Sequence, residues 1–444
     1  MTVVVDESAG GGDIQMENFD VIVIGAGFSG SIAAQQLSKA GHRVLVLEAR
    51  DRIGGRTWYK NFGNTEHLVE FGGTWVVPEY QPHIKEIIDQ YNLELVESPS
   101  PQIFTWLLAG GVSHSPWPIP VEEWMDFERA ISYIDAQAAR IKFVEPLDQA
   151  GLGDLDIPFE EFVDKLNPPP ATREFILSWA GFYFGNYPAN VSALHILSWV
   201  AGFDNSSVGW YVGVSKKFEH GTRSAIEAIH ADSNVELRLL SPVSKVEQGI
   251  DSVTATTRDG EVYVAKAAIV ATPINTWSDI SFEPALTGSF SIMANEKQGG
   301  QSIKVWALVR GLAGNFYGVG WKTALKWVAT EYVVDEGQLI VGFGCSPDDL
   351  DVEDHVAVSK AIREYLPEAE VVAVDAHDWN GDEFAQGTWM AYRPGQVMKH
   401  ASSLQQLHDR VAFASSDLAS GWAGWMDGAL ESGKRAARAI EALL

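Results

Sequence analysis

The chain has 444 residues, 46% of them hydrophobic, with 59 acidic against 32 basic side chains and a formal net charge of −27. That length exceeds one ordinary core, so two domains are expected, and so acidic a surface argues against nucleic acid and anionic membranes as partners. The single cysteine, Cys345, excludes an intramolecular disulfide and permits a reducing cytoplasm; the 16 tryptophans serve equally a large core or aromatic walls around a pocket.

The first 17 residues lack the basic and apolar regions of a secretory signal and read as a flexible tail. The organising stretch follows at once. Residues 20–24 form an apolar, β-branched run suited to a strand buried on both faces. Gly25, Gly27 and Gly30 come next, spaced G-x-G-x-x-G: one for a tight turn, one for close approach of a pyrophosphate, one for helix–strand packing. A helix is predicted over 29–40, with Gly41 closing it, then a strand over 43–47 ending in Glu48. Phosphate at that helix start would meet the free amides of Phe28 and Ser29, and Glu48 sits where a ribose hydroxyl needs an acceptor. Strand, triplet, helix, strand and acid in this order indicate a dinucleotide site, without choosing between NAD and FAD. Ala49, Arg50 and the following run to Gly54, Gly55 and Arg56 add a second glycine pair and a planar donor fork for the pyrophosphate.

Residues 68–77 are strand-like but interrupted by Gly72-Gly73, which marks a bulge or close backbone approach before Thr74 and Trp75. From 79 to 217 prolines cluster and helical patterns appear over 121–141, 171–181 and 191–202, so a helical insertion is expected. A helix then runs from about Thr222 to His230, followed by strands over 235–239 and 243–247, a hairpin turn at Arg258-Asp259-Gly260 and a strand over 262–272. Residues 282–383 return to the insertion, with strands over 302–310, 328–334 and 339–343 and a helix over 356–365. Lys304 lies inside the first of these strands, where a lysine must find a partner, reach solvent or lose its charge. A short strand over 411–414, the turn Ser415-Ser416-Asp417 and a final helix opening at Gly424-Trp425-Met426 close the chain. Neither a membrane-length apolar run nor a metal-ligand spacing occurs, so neither a membrane anchor nor a metal site is expected.

The run Glu48-Ala49-Arg50-Asp51-Arg52-Ile53-Gly54-Gly55-Arg56, with the segments around Lys304, Gly387 to Gly395 and Ser415 to Gly428, resembles the flavin monoamine oxidase family, including bacterial nicotine-degrading amine oxidases. The resemblance implies an α/β, two-domain GR-type FAD-binding flavoprotein fold. Its FAD domain would comprise 18–78, 218–281 and 384–444, and a discontinuous α+β substrate domain 79–217 and 282–383. It also implies that Gly72, Gly73, Thr74 and Trp75 pass the flavin ring, and that the strand at Val243 covers the adenine. Ser416 and Asp417 would contact the phosphates and ribityl chain, and Met426 would face the flavin pyrimidine. Lys304 matches the family lysine beside flavin N5. Trp389 and Trp425 match the two walls of its aromatic cage. Thr388 takes the place of the cysteine that joins the flavin covalently in mitochondrial enzymes, so non-covalent FAD is expected.

The implied activity is oxidation of a small-molecule amine by hydride transfer to FAD. The imine is then hydrolysed, and O2 or a protein electron acceptor reoxidises the flavin. A cytoplasmic protein is expected, and a homodimer is allowed. Two alternatives share the fold: a nicotine-type cyclic amine oxidase and an L-amino acid oxidase, which needs a cation for its carboxylate. A flavin-binding scaffold without turnover is the alternative from another class, and Lys304 with the paired tryptophans argues against it.

Overall fold

The computed structural model describes residues 19–444; the N-terminal tail expected over 1–17 lies outside them. Two large sheets organise the chain. In the first, Phe19–Ile24 lies between Val262–Val270 and Val44–Leu47, parallel to both. Its apolar run is continuous because both faces are covered. Val21 and Val23 join one buried cluster with the helices Phe28–Lys39 and Met426–Glu441, while Ile22 and Ile24 join another. Glu236–Arg238 extends this sheet beyond Val44–Leu47, and Val411–Phe413 runs parallel to Val262–Val270. The turn expected at Gly260 connects Val262–Val270 to Val253–Thr257, a strand not among those expected.

The second sheet has the strand order Glu370–Ala376, Ile303–Arg310, Gly337–Gly344, Leu325–Val334, Phe316–Gly320, Ile103–Leu108 and Gly111–Ser113. The stretch expected to be a helical insertion therefore contributes two strands to it. Ile103–Leu108 pairs in parallel with Phe316–Gly320, far along the chain. Its parallel partner is not announced locally, but its other neighbour is: Gly110 and Gly111, both at positive φ, turn the chain into an antiparallel hairpin with Gly111–Ser113. The helices expected there form as Trp124–Ala138, Pro170–Phe184 and Ala193–Gly202, with 121–123 as a 3-10 turn, and the short helices Phe159–Asp164 and Gly209–Val212 add to them. The sequence reading missed the helices Pro82–Tyr91 and Gly288–Glu296.

Of the strand-like run 68–77, only Leu68–Glu70 is a strand. The chain then passes under Arg56: a Cβ on Gly72 would lie 2.0 Å from the Arg56 carbonyl oxygen, so only glycine fits. Among the described residues no helix is long and apolar enough to cross a membrane.

Candidate active site

A cavity of about 260 Å³ begins at the Gly25–Gly27 turn and extends to Lys304, Trp389 and Trp425 on the far side. At its near end the helix Phe28–Lys39 starts from Gly27 with neither a side-chain cap nor an acid in its first turn, so its opening amides have no side-chain acceptor. Phe28 and Ser29 line the cavity there. Gly30 does not; its role is packing, since a Cβ would fall 2.0 Å from the Gly25 carbonyl oxygen.

Glu48, buried at the end of Val44–Leu47, accepts the Ala26 N–H at 2.7 Å and the Arg50 N–H at 2.9 Å. Burial pushes its carboxyl above the ordinary range, against those two amides and the Arg50 charge. Each carboxylate oxygen keeps acceptor capacity for a further donor. Ala49 and Val243 line the same end. Arg50 also lines it, but its guanidinium is a bidentate partner of Asp382, at 2.9 and 2.5 Å. Asp382 was not legible as a site residue, because nothing local links it to Arg50.

Arg52 braces the second glycine pair, donating to the Ile53, Gly55 and Thr57 carbonyls. Arg56 has four protein partners: the Thr388 carbonyl at 2.6 Å, Asp417 at 2.8 Å, Ser416 Oγ at 3.1 Å and Ser415 Oγ at 3.2 Å. It lines the cavity with Ser416 and Met426. Asp417 stands behind that wall. Fully buried, it is matched by Arg56 and the Ile274 N–H rather than turned to the cavity. Its short side chain reaches the guanidinium but not the cavity lining. Thr272 Oγ1 and Trp425 Nε1 are buried in the lining without a protein partner. Open helix amides, an acid with free acceptor capacity and these orphaned polar atoms fit a polar, phosphate-bearing cofactor such as FAD.

At the far end the second sheet sets the geometry. Lys304 pairs with Phe343, and Phe343 with Trp327, so the three share one face of adjacent strands. Period two turns Lys304 and Trp306 to that face, while Ile303, Val305 and Ala307 pack with the helix His355–Tyr365 on the other. The Lys304 ammonium donates to the Gly72 carbonyl at 2.9 Å and Thr74 Oγ1 at 2.6 Å. Trp75, Trp306 and Phe343 rings surround it at 5.3–5.5 Å. Burial pushes its pKa well down, opposed by the buried carboxylates Glu70 and Glu331.

Those two acids, both charged neighbours of Lys304, are not among the expected site residues. Glu70 accepts the Thr222 N–H at 2.5 Å and its hydroxyl at 3.1 Å; burial raises its pKa against Thr222 and Lys304. Glu331 forms a buried ion pair with Lys217 at 2.7 Å and accepts the Trp75 indole N–H at 3.2 Å. The signal that found Lys304, a charge inside an apolar strand, is also present in both.

Trp389 and Trp425 line the cavity from separate elements. The Trp389 indole donates to the Tyr183 carbonyl at 2.8 Å and its ring meets Phe343. The Trp425 ring rests edge-on against Trp199 and Trp422. Helix Pro170–Phe184 delivers Phe182 and Tyr183 to the same wall and stops at Gly185 in the left-handed region (φ 59°), where a Cβ would lie 2.9 Å from Ser302 and 3.1 Å from Trp389.

A two-sheet dinucleotide fold whose cavity joins a βαβ phosphate turn to a buried lysine and an aromatic wall defines a flavoprotein oxidoreductase. The match to the family of flavin containing amine oxidoreductases spans residues 28–441, and the chain belongs to that family. It is a flavin-dependent amine oxidase acting on a small-molecule amine. The chain is 35% identical over 425 residues to (S)-6-hydroxynicotine oxidase of Paenarthrobacter nicotinovorans, covering 95% of this chain and 99% of that protein. It is 33% identical over 430 residues to pseudooxynicotine dehydrogenase of a Pseudomonas species, covering 94% and 85%. A solved structure of wild-type putrescine oxidase bound to putrescine superposes with a TM-score of 0.84 at 25% identity, covering 96% of this chain and 99% of that one.

Proposed function

We propose that the chain holds FAD non-covalently along this cavity and oxidises an amine seated between Trp389 and Trp425. The observation carrying the reading is continuity: the uncapped helix start at Gly27 and Glu48 share one cavity with Lys304 and both tryptophans. The Phe28 and Ser29 amides would hold the pyrophosphate and Glu48 the adenosine ribose. The Val243 backbone would meet the adenine. Arg56 and Ser416 would border the phosphates, and the Met426 amide, at a helix N-terminus, would favour negative charge at the flavin pyrimidine.

When bound, FAD supplies the two-electron acceptor for a hydride from the amine α-carbon, passing the electrons on to O2 or another acceptor. The protein positions the substrate. Two indole faces confine the amine and offer their negative faces to its nitrogen. The reaction requires no general acid or base from the slot when the amine enters in its neutral form, with its lone pair free. Lys304 holds donors against the site from the second sheet and serves reoxidation. Thr388 stands where the resembling mitochondrial enzymes have the linking cysteine, and a threonine forms no thioether. A cytoplasmic location, which the single buried thiol Cys345 permits, belongs to the same reading.

A nicotine-type amine is the second reading, favoured by 33% and 35% identity to the two nicotine-pathway relatives against 26% to amine oxidase A of Sus scrofa. Anaerobic addition of an amine panel tests both. The flavin absorbance should bleach with at least one amine, and the best amine separates the readings. A spectrum unchanged by every amine would remove the proposed substrate slot.

A further inference from the structure

The far wall of the cavity has an uneven chemistry. The charged residues lining the cavity as a whole, other than Lys304, are Glu48, Arg50, Arg56, Arg258, Asp279 and Glu383, all on segments of the cofactor end. Each already has a partner. Arg50 pairs with Asp382, Arg56 with Asp417 and Arg258 with Glu383. Asp279 accepts from the Gln386 amide, and Glu48 accepts two backbone amides.

At the substrate end the polar tips of the aromatic residues are turned into the protein. The Tyr183 hydroxyl donates to the Trp210 carbonyl, the Trp199 indole to the Ala423 carbonyl at 3.1 Å, and the Trp389 indole to the Tyr183 carbonyl. Lys304 gives two of its three donors to Gly72 and Thr74, and the third is the one that the proposed function turns to the flavin. Thr388 Oγ1 accepts the Ser302 N–H at 3.1 Å. Phe182, Phe343 and Val214 add carbon alone. Among the described residues lining that end, Trp425 Nε1 is the buried side-chain polar atom without a protein partner, and it is uncharged.

From this wall we infer that the substrate carries one basic nitrogen on an uncharged hydrocarbon or aryl body, and that diamines and amino acids are rejected. A second ammonium would leave water with no carboxylate to meet it, and a carboxylate would find no guanidinium free to clamp it. The inference rests on the amine-oxidase reading above. It separates this chain from the structural neighbour solved with putrescine, which shares its fold.

The test compares n-hexylamine with cadaverine, which has the same number of heavy atoms but ends in a second ammonium, and with ε-aminocaproate. The readout is the second-order rate of anaerobic flavin reduction in the FAD-loaded protein. Hexylamine should exceed both by about 100-fold or more, as expected for an unpaired buried charge. A Val214→Glu variant should then raise the cadaverine-to-hexylamine ratio by about tenfold or more, by giving the second ammonium a partner. Comparable rates for hexylamine and cadaverine, or a ratio unmoved by Val214→Glu, would overturn the inference while leaving the amine oxidase intact. A flavin that no amine reduces would overturn the underlying reading and the inference with it.

Discussion

The two ends of the cavity are built on opposite principles. At the near end, backbone amides, glycines and matched charges do the holding: the Gly27 helix start, Glu48 on two amides, and Arg56 on Asp417 and Thr388. At the far end, aromatic carbon surrounds one lysine, and polar tips point outward into the protein. A cofactor with fixed phosphates, riboses and rings can be met by backbone geometry. A small amine that must enter, react and leave is confined by shape instead. Under the proposed function, retention of FAD belongs to one end and the rate of its reduction to the other, and substitutions should separate the two.

The largest expected effect is at the hinge of the near end. Asp417 is fully buried, so Arg56→Ala would leave its carboxylate without a counter-charge. Stability should fall by about 3 kcal/mol or more. Adding Asp417→Asn should recover part of the loss, and urea unfolding of both variants checks this. Next, Glu48→Ala should weaken FAD binding by about 1.5–3 kcal/mol, roughly 10- to 100-fold, in a fluorescence titration. With FAD saturating, its reduction rate should match the parent. A slowed reduction step would blur the division between the ends.

The sequence made the near end readable because its parts are contiguous. The glycine triplet, the helix and Glu48 occupy one unit, and their roles depend on spacing alone. The far end is readable at Lys304, Trp389, Trp425 and the run Gly72 to Trp75, where a family resemblance supplies the context. Its remaining parts come together through long-range pairing. Glu331 meets Lys217 and Trp75, and Phe343 faces Lys304, only once the second sheet is formed. The parallel pairing of Ile103–Leu108 with Phe316–Gly320 is long-range in the same way, although the Gly110-Gly111 hairpin beside it is local, and Arg50 with Asp382 is the near end's own example. Asp417 shows a further limit. The motif sets it against the cofactor phosphates and ribityl chain, whereas its partners in the structure are Arg56 and the Ile274 N–H.

Lys304→Met carries a smaller expected effect and sharpens the comparison from the far side. Reoxidation by O2 should slow by about tenfold, with reduction by amine changing less. Stopped-flow traces with unchanged reoxidation would show that the lysine serves only to brace Gly72 and Thr74.

The smallest effect concerns Asp427, which caps the helix Pro82–Tyr91 through the His83 and Ile84 amides, beside the wall residue Met426. Burial pushes its carboxyl up to about 7 from an ordinary 3.8, against those two amides. The folded state therefore holds a proton that the unfolded state releases, and this stabilisation, full below pH 3.8, is lost as pH rises through 7. Asp427→Asn keeps an acceptor without the charge, so its stability relative to the parent should improve from about pH 4 to 7. Thermal unfolding across that range measures it, and parallel curves would contradict the assignment.

The central claim, that the aromatic end sets the rate while the other end keeps the cofactor, is tested most directly by anaerobic flavin reduction in Trp389→Ala and Trp425→Ala, with FAD content measured on the same samples. The account predicts full FAD occupancy and a slower reduction by the best amine in both variants, with Phe replacements milder. Parent-rate reduction in both alanine variants would contradict it and place the substrate elsewhere in the cavity.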